Sequence, residues 1–242
     1  MEKRRAPAER KSISGEGQSD KIEFRGQIMQ VMETKKLQRS SGAPEPYKMM
    51  GINLQLTDPD KRVIAVTGIG DNSGEKEIAV RLSQVFAESG ERVVLIDADL
   101  RHSGENSKMK AKEADKKRGL SQFLSGKCKL EDIVYATETK NLAHIESGAT
   151  SGGVSELLKR KMFEELISVL NEQFDYIVIG APPADSVVEC AAIAPCCDGM
   201  VLVIRPGRVS IKKAQWVKRQ IDKTHCPILG VVMNESKAIG PS

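Results

Sequence analysis

The sequence predicts an α/β domain of the doubly wound type, in which helices cover both faces of a mostly parallel sheet. Three observations lead to this fold class. Short, continuously apolar runs of strand length recur along the chain, at Val63–Val66, Val93–Ile96, Tyr176–Ile179, Gly199–Ile204 and Ile228–Met233. Helical patterns lie between these runs, and a glycine-rich loop joins the first run to the first helix. Strands that are apolar throughout are buried on both faces, which is typical of a parallel sheet between two helical layers.

The composition indicates an ordinary globular chain with an aliphatic core. Of its 242 residues, 40% are hydrophobic and 29% charged, but only 4% are aromatic. The net charge of +4 is too small to indicate nucleic-acid binding. No apolar run approaches the roughly 20 residues that span a bilayer, and none follows the basic N-terminus as in a signal peptide. Five cysteines, mostly within apolar patterns, favour reduced thiols over disulfides or a metal site.

The composition of the sequence changes at about residue 42. Residues 1–42 are polar and charged and predict a disordered tail, with some helical periodicity in Ile22–Leu37. Residues 43–242 are predicted to form the folded domain, which begins with a short amphipathic helix at Glu45–Leu56. The unit Val63–Arg101 follows as a strand, loop, helix and second strand, with acidic residues at the end of that second strand.

The rest of the chain continues the alternation of helices and strands. The lysine-rich segment Ser103–Arg118 is predicted to be a loop or a loose helix. The clearest helix begins near Ser155, which is a plausible N-cap because its hydroxyl can accept from a first-turn amide. Helices are predicted at Gly119–Leu124, Leu130–Tyr135, Ser155–Gln173, Glu189–Pro195 and Ser210–Lys223, and a further strand at Asn141–Glu146.

The glycine-rich loop after the first strand is the candidate binding site. A loop of the GxxxxGK(S/T) type needs glycines whose neighbouring amides curl round phosphates, a lysine for the terminal phosphates and a hydroxyl for Mg²⁺. The glycines are present, as Gly68, Gly70 and Gly74. The positions of the lysine and the hydroxyls are taken by Glu75, Lys76 and Glu77.

Several blocks of the sequence resemble the bacterial tyrosine kinases (BY-kinases) of the CpsD/CapB type, which act in capsular and exopolysaccharide synthesis and are related to the MinD/ParA group. The resemblance runs from about Glu45 to Asn234, and the blocks keep the family's order. They are VLIDADLR at Val94–Arg101, GLSQFLSG at Gly119–Gly126, SELL at Ser155–Leu158, FDYIVIGAPP at Phe174–Pro183 and APCCDGMVLVIRPG at Ala194–Gly207. The resemblance implies a phosphate-loop (P-loop) nucleotide-binding fold with Mg-ATP as the cofactor.

The same resemblance places a glutamate where the family has its loop lysine. Aligned without gaps, the family's pattern puts Glu75 at the lysine, Lys76 at the serine and Glu77 at the threonine. The helix that follows then keeps its family positions apolar, at Ala79, Leu82 and Phe86. Shifting the alignment by one residue, so that Lys76 takes the lysine position, would rotate the apolar face of this helix by about 100° relative to the family's pattern.

The acidic motifs are only partly kept. In the family, the acids at the positions of Asp97 and Asp99 bind Mg²⁺ and help to activate the attacking phenol, and Arg101 belongs to the same nucleotide site. The family's second acidic motif ends a strand in Asp-Thr-Pro-Pro, but Gly180 and Ala181 stand at its first two positions. The resemblance therefore predicts an ancestral Mg²⁺ site that has lost one acid.

Two further family features also differ. The family's N-terminal helix carries a glutamate and two arginines that support ring-like self-association; here Glu45 remains, but Lys48 and Gly51 stand at the arginine positions. A homo-oligomer is still an expectation from the resemblance. The family's tyrosine-rich C-terminal segment has no counterpart in the sequence, whose tyrosines are Tyr47, Tyr135 and Tyr176.

These features predict a member of the family whose catalysis and Mg-ATP binding are weakened or lost, with Glu75 in the anion site in place of phosphate. The expected role is that of a cytoplasmic regulatory partner of a membrane-anchored polysaccharide co-polymerase or chain-length regulator, without nucleic acid. That partner would hold the protein at the inner face of the plasma membrane. Two alternatives stay open: an active ATP-dependent tyrosine kinase that uses Asp97, Asp99 and Lys76, and a MinD/ParA-like ATPase.

Overall fold

The computed structural model describes residues 21–24, 27–30, 43–57, 60–70, 72–101, 118–149, 153–159 and 161–234, and the structural statements below refer to these residues. A short antiparallel hairpin comes first, formed by β1 (Lys21–Phe24) and β2 (Gln27–Gln30). It lies within the predicted tail, so the helical periodicity noted from Ile22 does not form a helix there. The remainder of the predicted tail and most of Ser103–Arg118 fall outside the described residues.

A seven-stranded sheet forms the centre of the domain. Its strands are β3 (Val63–Ile69), β4 (Val93–Asp97), β5 (Val134–Ala136), β6 (Leu142–Ile145), β7 (Tyr176–Gly180), β8 (Gly199–Ile204) and β9 (Ile228–Met233). Their order across the sheet is β5-β6-β4-β7-β3-β8-β9. Every neighbouring pair is parallel except β5 and β6. The predicted doubly wound, mostly parallel sheet is therefore confirmed.

Seven α-helices accompany the sheet in the described residues. They are α1 (Glu45–Thr57), α2 (Glu75–Glu88), α3 (Leu120–Leu124), α4 (Val154–Leu158), α5 (Lys161–Asn171), α6 (Val187–Ile193) and α7 (Ile211–Asp222). Two short 3₁₀ turns occur at Leu130–Asp132 and Ala194–Cys196. In the described residues, no helix is both long enough and apolar enough to cross a bilayer.

Side chains of alternate residues in the central strands belong to two hydrophobic cores, one on each face of the sheet. In β3, Val63 and Ala65 belong to one core and Ile64 and Val66 to the other. The larger core lies under α3 to α7, whereas the smaller one lies under α1 and α2. Both are mainly aliphatic, as the scarcity of aromatic residues predicts, because continuous apolar strands present branched side chains to both layers.

Two predicted helices take a different form. The segment predicted as a helix at Leu130–Tyr135 is a 3₁₀ turn followed by β5, which adds an antiparallel edge strand to the sheet. The segment Ser155–Gln173 contains two helices, α4 and α5, rather than one. For β5, pairing with β6 overrides the local pattern, since intrinsic propensity is weak over so few residues.

The predicted N-cap at Ser155 is wrong. The residue that precedes α4 is Gly153, whose φ of +71° is the left-handed conformation that glycine adopts most readily. The Ser155 hydroxyl instead donates to Glu189 Oε1 over 2.6 Å. A hydrogen bond to an ionised carboxylate is stronger than one between neutral groups, so this bond fixes the direction of the Ser155 side chain.

The packing of α1 on α2 explains the glycine at one of the family's arginine positions. A Cβ atom on Gly51 would lie 2.5 Å from Cγ1 of Val85, which is closer than real Cβ contacts allow. Valine has little rotamer freedom in a helix, so it cannot move aside cheaply. Gly51 therefore allows α1 to approach α2 closely, and an arginine would separate the two helices.

Candidate functional site

The loop between β3 and α2 has the backbone conformation that its glycines predict. Gly70 and Gly74 have φ values of +81° and +88°, which other residues rarely adopt. Gly74 directly precedes α2, and a Cβ atom there would lie 2.1 Å from Nδ2 of Asn234. That Nδ2 atom donates to the carbonyl oxygen of Ser73 over 2.9 Å. The loop is thus held in its tight turn by the residue that follows β9.

Glu75 begins α2 and turns its carboxylate back over the loop. Its Oε2 atom accepts a hydrogen bond of 2.5 Å from the hydroxyl of Ser73. The space beside Gly68 is filled by the same two groups, because a Cβ atom there would lie 1.8 Å from Ser73 Oγ and 2.7 Å from Glu75 Oε2. A negative charge is favourable at a helix N-terminus, which is where phosphate binds in loops of this type.

Lys76 points away from the loop, towards the end of β4. Its Nζ atom lies 3.1 Å from Oδ2 of Asp99 and 3.7 Å from Oδ2 of Asp97. Burial alone would lower the pKa of Lys76, but the negative charges of the two aspartates outweigh it and raise that pKa above its ordinary value. The lysine is therefore a charged ammonium bound between two carboxylates.

The two aspartates form a compact pair at the carboxyl end of β4. Asp99 is almost fully buried, with 3% of its side chain exposed, and its amide donates to Asp97 Oδ1 over 3.1 Å. Although 29% of the Asp97 side chain is accessible, burial raises the pKa of its carboxyl group to about 6 against the opposing effect of Lys76. The cost of placing both carboxylates here is offset mainly by the ammonium of Lys76.

Glu77 lies on the exposed side of α2. Its side chain is 62% exposed, and the nearest charged group is the guanidinium of Arg81, at 4.0 Å one turn along the helix. Three helix positions predicted to be apolar and buried are indeed buried, namely Ala79, Leu82 and Phe86. Ser83 and Ala87, each one residue further along, are also buried, so the alignment that puts Glu75 at the lysine position stays a prediction.

Asp185 also belongs to the site, although it was not among the predicted residues. Its Oδ1 atom accepts from the amide of Gly70 over 3.0 Å, and its Oδ2 atom lies 2.6 Å from Nζ of Lys213. Burial raises the pKa of Asp185, but the hydrogen bonds and charge of its partners lower it overall. The loop after β7 is also joined to the glycine-rich loop by a hydrogen bond from the Ala184 amide to the Gly68 carbonyl, at 2.7 Å.

Arg101 is paired with the side chain of Glu189 in α6. Its Nε atom lies 3.0 Å from Glu189 Oε1, and a second guanidinium nitrogen contacts the same oxygen. Glu189 is 1% exposed; burial raises its pKa, but the hydrogen bonds from Ser155 and Arg101 outweigh this effect and lower it. An open pocket of about 410 Å³ lies beside this cluster, lined by Arg101, Gly153, Ser155 and Glu156.

Comparisons with known proteins give a consistent result. A family model described as an AAA domain matches residues 61–227. The tyrosine-protein kinase CpsD of Streptococcus pneumoniae is 34% identical to this chain over 201 residues, covering 83% of this chain and 88% of that protein. The chain belongs to this family of bacterial tyrosine-protein kinases.

Solved structures agree with this family membership. The BceF tyrosine kinase domain superimposes with a TM-score of 0.71 and 27% identity, covering 80% of this chain and 77% of that one. The septum site-determining protein MinD of Pyrococcus horikoshii, solved in complex with Mg-ADP, gives a TM-score of 0.57 at 23% identity, covering 72% and 70% of the two chains. At that identity the similarity to MinD shows a shared fold alone.

Gly180 ends β7 directly beside the acids of β4. Its backbone pairs in register with Asp97 on one side and with Val66 on the other. A Cβ atom on Gly180 would lie 3.6 Å from the carbonyl oxygen of Ile96 and 3.9 Å from Cβ of Ala79, which are ordinary contact distances. The packing therefore leaves room for a Cβ atom at the position where the family resemblance predicts an aspartate.

The residues at this site do not fit a Mg²⁺ ion as they are arranged. Mg²⁺ requires oxygen ligands in nearly octahedral geometry, and the family resemblance assigns it a hydroxyl and acidic side chains. Here the positive charge of Lys76, the residue that the resemblance predicts at the hydroxyl position, already lies against Asp97 and Asp99. Among the described residues, no group of three or more histidine, cysteine, aspartate or glutamate side chains is arranged to hold a metal.

The cysteines do not contribute a second site. All five are free thiols, of which Cys190 and Cys226 are buried, as the prediction of reduced thiols requires. Burial raises the pKa of Cys226 to about 11 and that of Cys190 to about 12, so both stay protonated at neutral pH.

Proposed function

We propose that this chain is a bacterial tyrosine-kinase-family protein in which phosphoryl transfer is weakened or lost. The proposal rests on one observation: the first residue of α2 is a glutamate whose carboxylate lies over the loop, while the nearby lysine is bound to two aspartates. In the part of the chain that the structure describes, neither Glu75 nor Lys76 then presents a positive charge at this helix end to meet a terminal phosphate. Phosphoryl transfer depends almost entirely on positioning and on such electrostatic stabilisation.

The magnitudes support a large effect on nucleotide affinity. Two like charges 4 Å apart repel by about 4 kcal/mol at an effective dielectric constant of about 20. The missing lysine removes charge-assisted hydrogen bonds of about 1.5–3 kcal/mol each. Because about 1.4 kcal/mol corresponds to a tenfold change in a dissociation constant, the repulsion alone can move a micromolar ligand close to the millimolar range, and each lost hydrogen bond weakens binding by a further factor of roughly 10 to 150.

The tyrosines of the chain give no obvious phosphate acceptor. Tyr135 and Tyr176 are buried in β5 and β7, where the hydroxyl of Tyr135 donates to the Arg118 carbonyl and the ring of Tyr176 stacks on Phe86. Tyr47 is half-buried in α1, and burial raises its pKa. A phenol must reach an active site to accept phosphate, so these positions favour a role other than autophosphorylation.

A titration with Mg-ATP tests the catalytic part of the proposal. Isothermal calorimetry on the full chain is expected to give no saturable heat at micromolar nucleotide, whereas the pneumococcal CpsD serves as the positive comparison. Micromolar binding by this chain would instead support an active ATP-dependent tyrosine kinase. Nucleotide-dependent dimerisation in the same samples, measured by light scattering, would support a MinD/ParA-like ATPase.

The proposed biological role is that of a regulatory partner of a membrane-anchored polysaccharide co-polymerase or chain-length regulator. It follows from the family resemblance, which links such kinases to capsular and exopolysaccharide synthesis at the cytoplasmic face of the membrane. Such a role requires an intact surface but no catalytic turnover, and the domain has a complete sheet, two cores and a well-formed glycine loop.

The cytoplasmic segment of such a co-polymerase is expected to bind this chain without nucleotide. A segment that binds CpsD but not this chain would contradict the role.

A further inference from the structure

We propose that Lys76 is a built-in cation that takes the place of the divalent metal between Asp97 and Asp99. The inference rests on the proposed function in one respect, the assignment of these acids to an ancestral metal site. It goes further by naming what now neutralises them. The site of this chain is then balanced in charge without metal and without nucleotide.

The geometry of the three groups carries this inference. The Lys76 ammonium lies 3.1 Å and 3.7 Å from the nearest oxygens of Asp99 and Asp97. All three residues belong to rigid elements or follow them directly, since Lys76 is in the first turn of α2 and Asp97 ends β4. Only 32% of the Lys76 side chain is exposed, so the ammonium is held in the site rather than extended into solvent.

The surrounding groups make a cation necessary at this point. Asp97 also accepts from the hydroxyl of Ser147 and from the amide of Asp99, but neither donor carries a charge. The carboxylate of Glu75 adds negative charge from the preceding residue of α2. Two close carboxylates repel unless one is protonated or a cation lies between them. Two other cations of the described segments are already paired, Arg101 with Glu189 and Lys213 with Asp185.

A tethered ammonium is an effective competitor for a metal. Lysine carries a compact point charge with three donors, which can satisfy two carboxylates at once. A free divalent ion must lose part of its water shell and displace this ammonium, whereas the lysine is already present at the site. The chain as it stands is therefore expected to bind neither Mg²⁺ nor Mn²⁺ specifically when nucleotide is absent.

Mn²⁺ binding to the nucleotide-free full chain, followed by electron paramagnetic resonance of the unbound ion, tests this inference. The variant Lys76→Ser is expected to bind Mn²⁺ more tightly than the unaltered chain. Its dissociation constant should be lower by a factor of about ten or more. Lys213→Ser is the matched control, since it removes a similarly exposed lysine from a single aspartate beside the same loop. It is expected to gain no affinity. Adding Asp97→Asn and Asp99→Asn to Lys76→Ser should abolish the gain.

Two results would overturn the inference. One is specific Mn²⁺ binding by the unaltered chain as tight as that of the serine variant, and the other is no gain in the serine variant. If Lys76→Ser does not fold, Lys76→Gln replaces it, and binding by the unaltered chain remains decisive. No nucleotide is used, so these outcomes are independent of the Mg-ATP titration: a chain that binds Mg-ATP but no free Mn²⁺ would contradict the proposed function and leave this inference standing.

Discussion

Replacing Glu75 by Lys, Lys76 by Ser and Gly180 by Asp in one chain is expected to create Mg-ATP binding in the micromolar range. The change at residue 75 removes a repulsion of about 4 kcal/mol and adds a lysine at the helix end where phosphate binds. The change at residue 76 supplies a hydroxyl and frees both aspartates. The change at residue 180 adds a third acid, whose Cβ atom would make only ordinary contacts. Calorimetry measures the result directly.

The matched control for this experiment is Glu77→Lys. It adds the same positive charge two residues along the same helix, but its side chain is 62% exposed and lies towards Arg81. The three changes of the triple variant leave the net charge of the chain as it is, whereas Glu77→Lys makes it more positive. A general gain in electrostatic attraction would therefore appear in Glu77→Lys, and binding by the triple variant alone indicates the loop. If the triple variant folds and still binds no nucleotide, the assignment of residue 75 to the lysine position is wrong.

Phe86→Ala is expected to lower the free energy of unfolding by about 3–5 kcal/mol, the usual cost of truncating a buried aromatic ring. The Phe86 side chain is fully buried in the core under α1 and α2. Its ring stacks on Tyr176 with a centroid separation of 4.3 Å. Truncation leaves a cavity at the centre of the smaller core, which the surrounding valines and leucines fill only in part. Urea denaturation followed by circular dichroism measures the loss.

Two comparisons make the Phe86 result specific. Phe86→Leu keeps most of the apolar volume and is expected to cost less than half as much, because shape-tolerant exchanges in cores are usually mild. Trp216→Ala removes a larger ring that is 41% exposed on α7, and it should cost much less than Phe86→Ala. A loss below about 1 kcal/mol for Phe86→Ala would mean that the aliphatic neighbours alone hold α2 on the sheet.

Much of the fold could be predicted because its strands are apolar along their whole length. The five apolar runs named in the sequence are all strands of the sheet, and the helix predicted after the glycine loop is present at Glu75–Glu88. The predictions failed where the signal was short. The strand Val134–Ala136 has only three residues, which is too short for a hydrophobic period to be recognised. It is a strand because it pairs with β6, not because of local propensity.

The site was predictable in its residue types but not in its contacts. The glycines of the loop could be interpreted from the sequence, because a tight turn requires positive φ values that only glycine accepts easily. Gly70 and Gly74 adopt such values. The direction of the Lys76 side chain could not be predicted, because it depends on the distance between the start of α2 and the end of β4. Asp185 and Asn234 were missed for the same reason, since their partners lie more than 100 residues away in the sequence.

By itself the sequence determined the layers of the domain and the position of the glycine loop, because apolar period and backbone freedom are local properties. Only the tertiary structure decided where each charge is neutralised: Lys76 on Asp97 and Asp99, Arg101 on Glu189, and Asp185 between Gly70 and Lys213. The strength of an ion pair depends on distance and burial, and both arise when distant segments meet at the edge of the sheet.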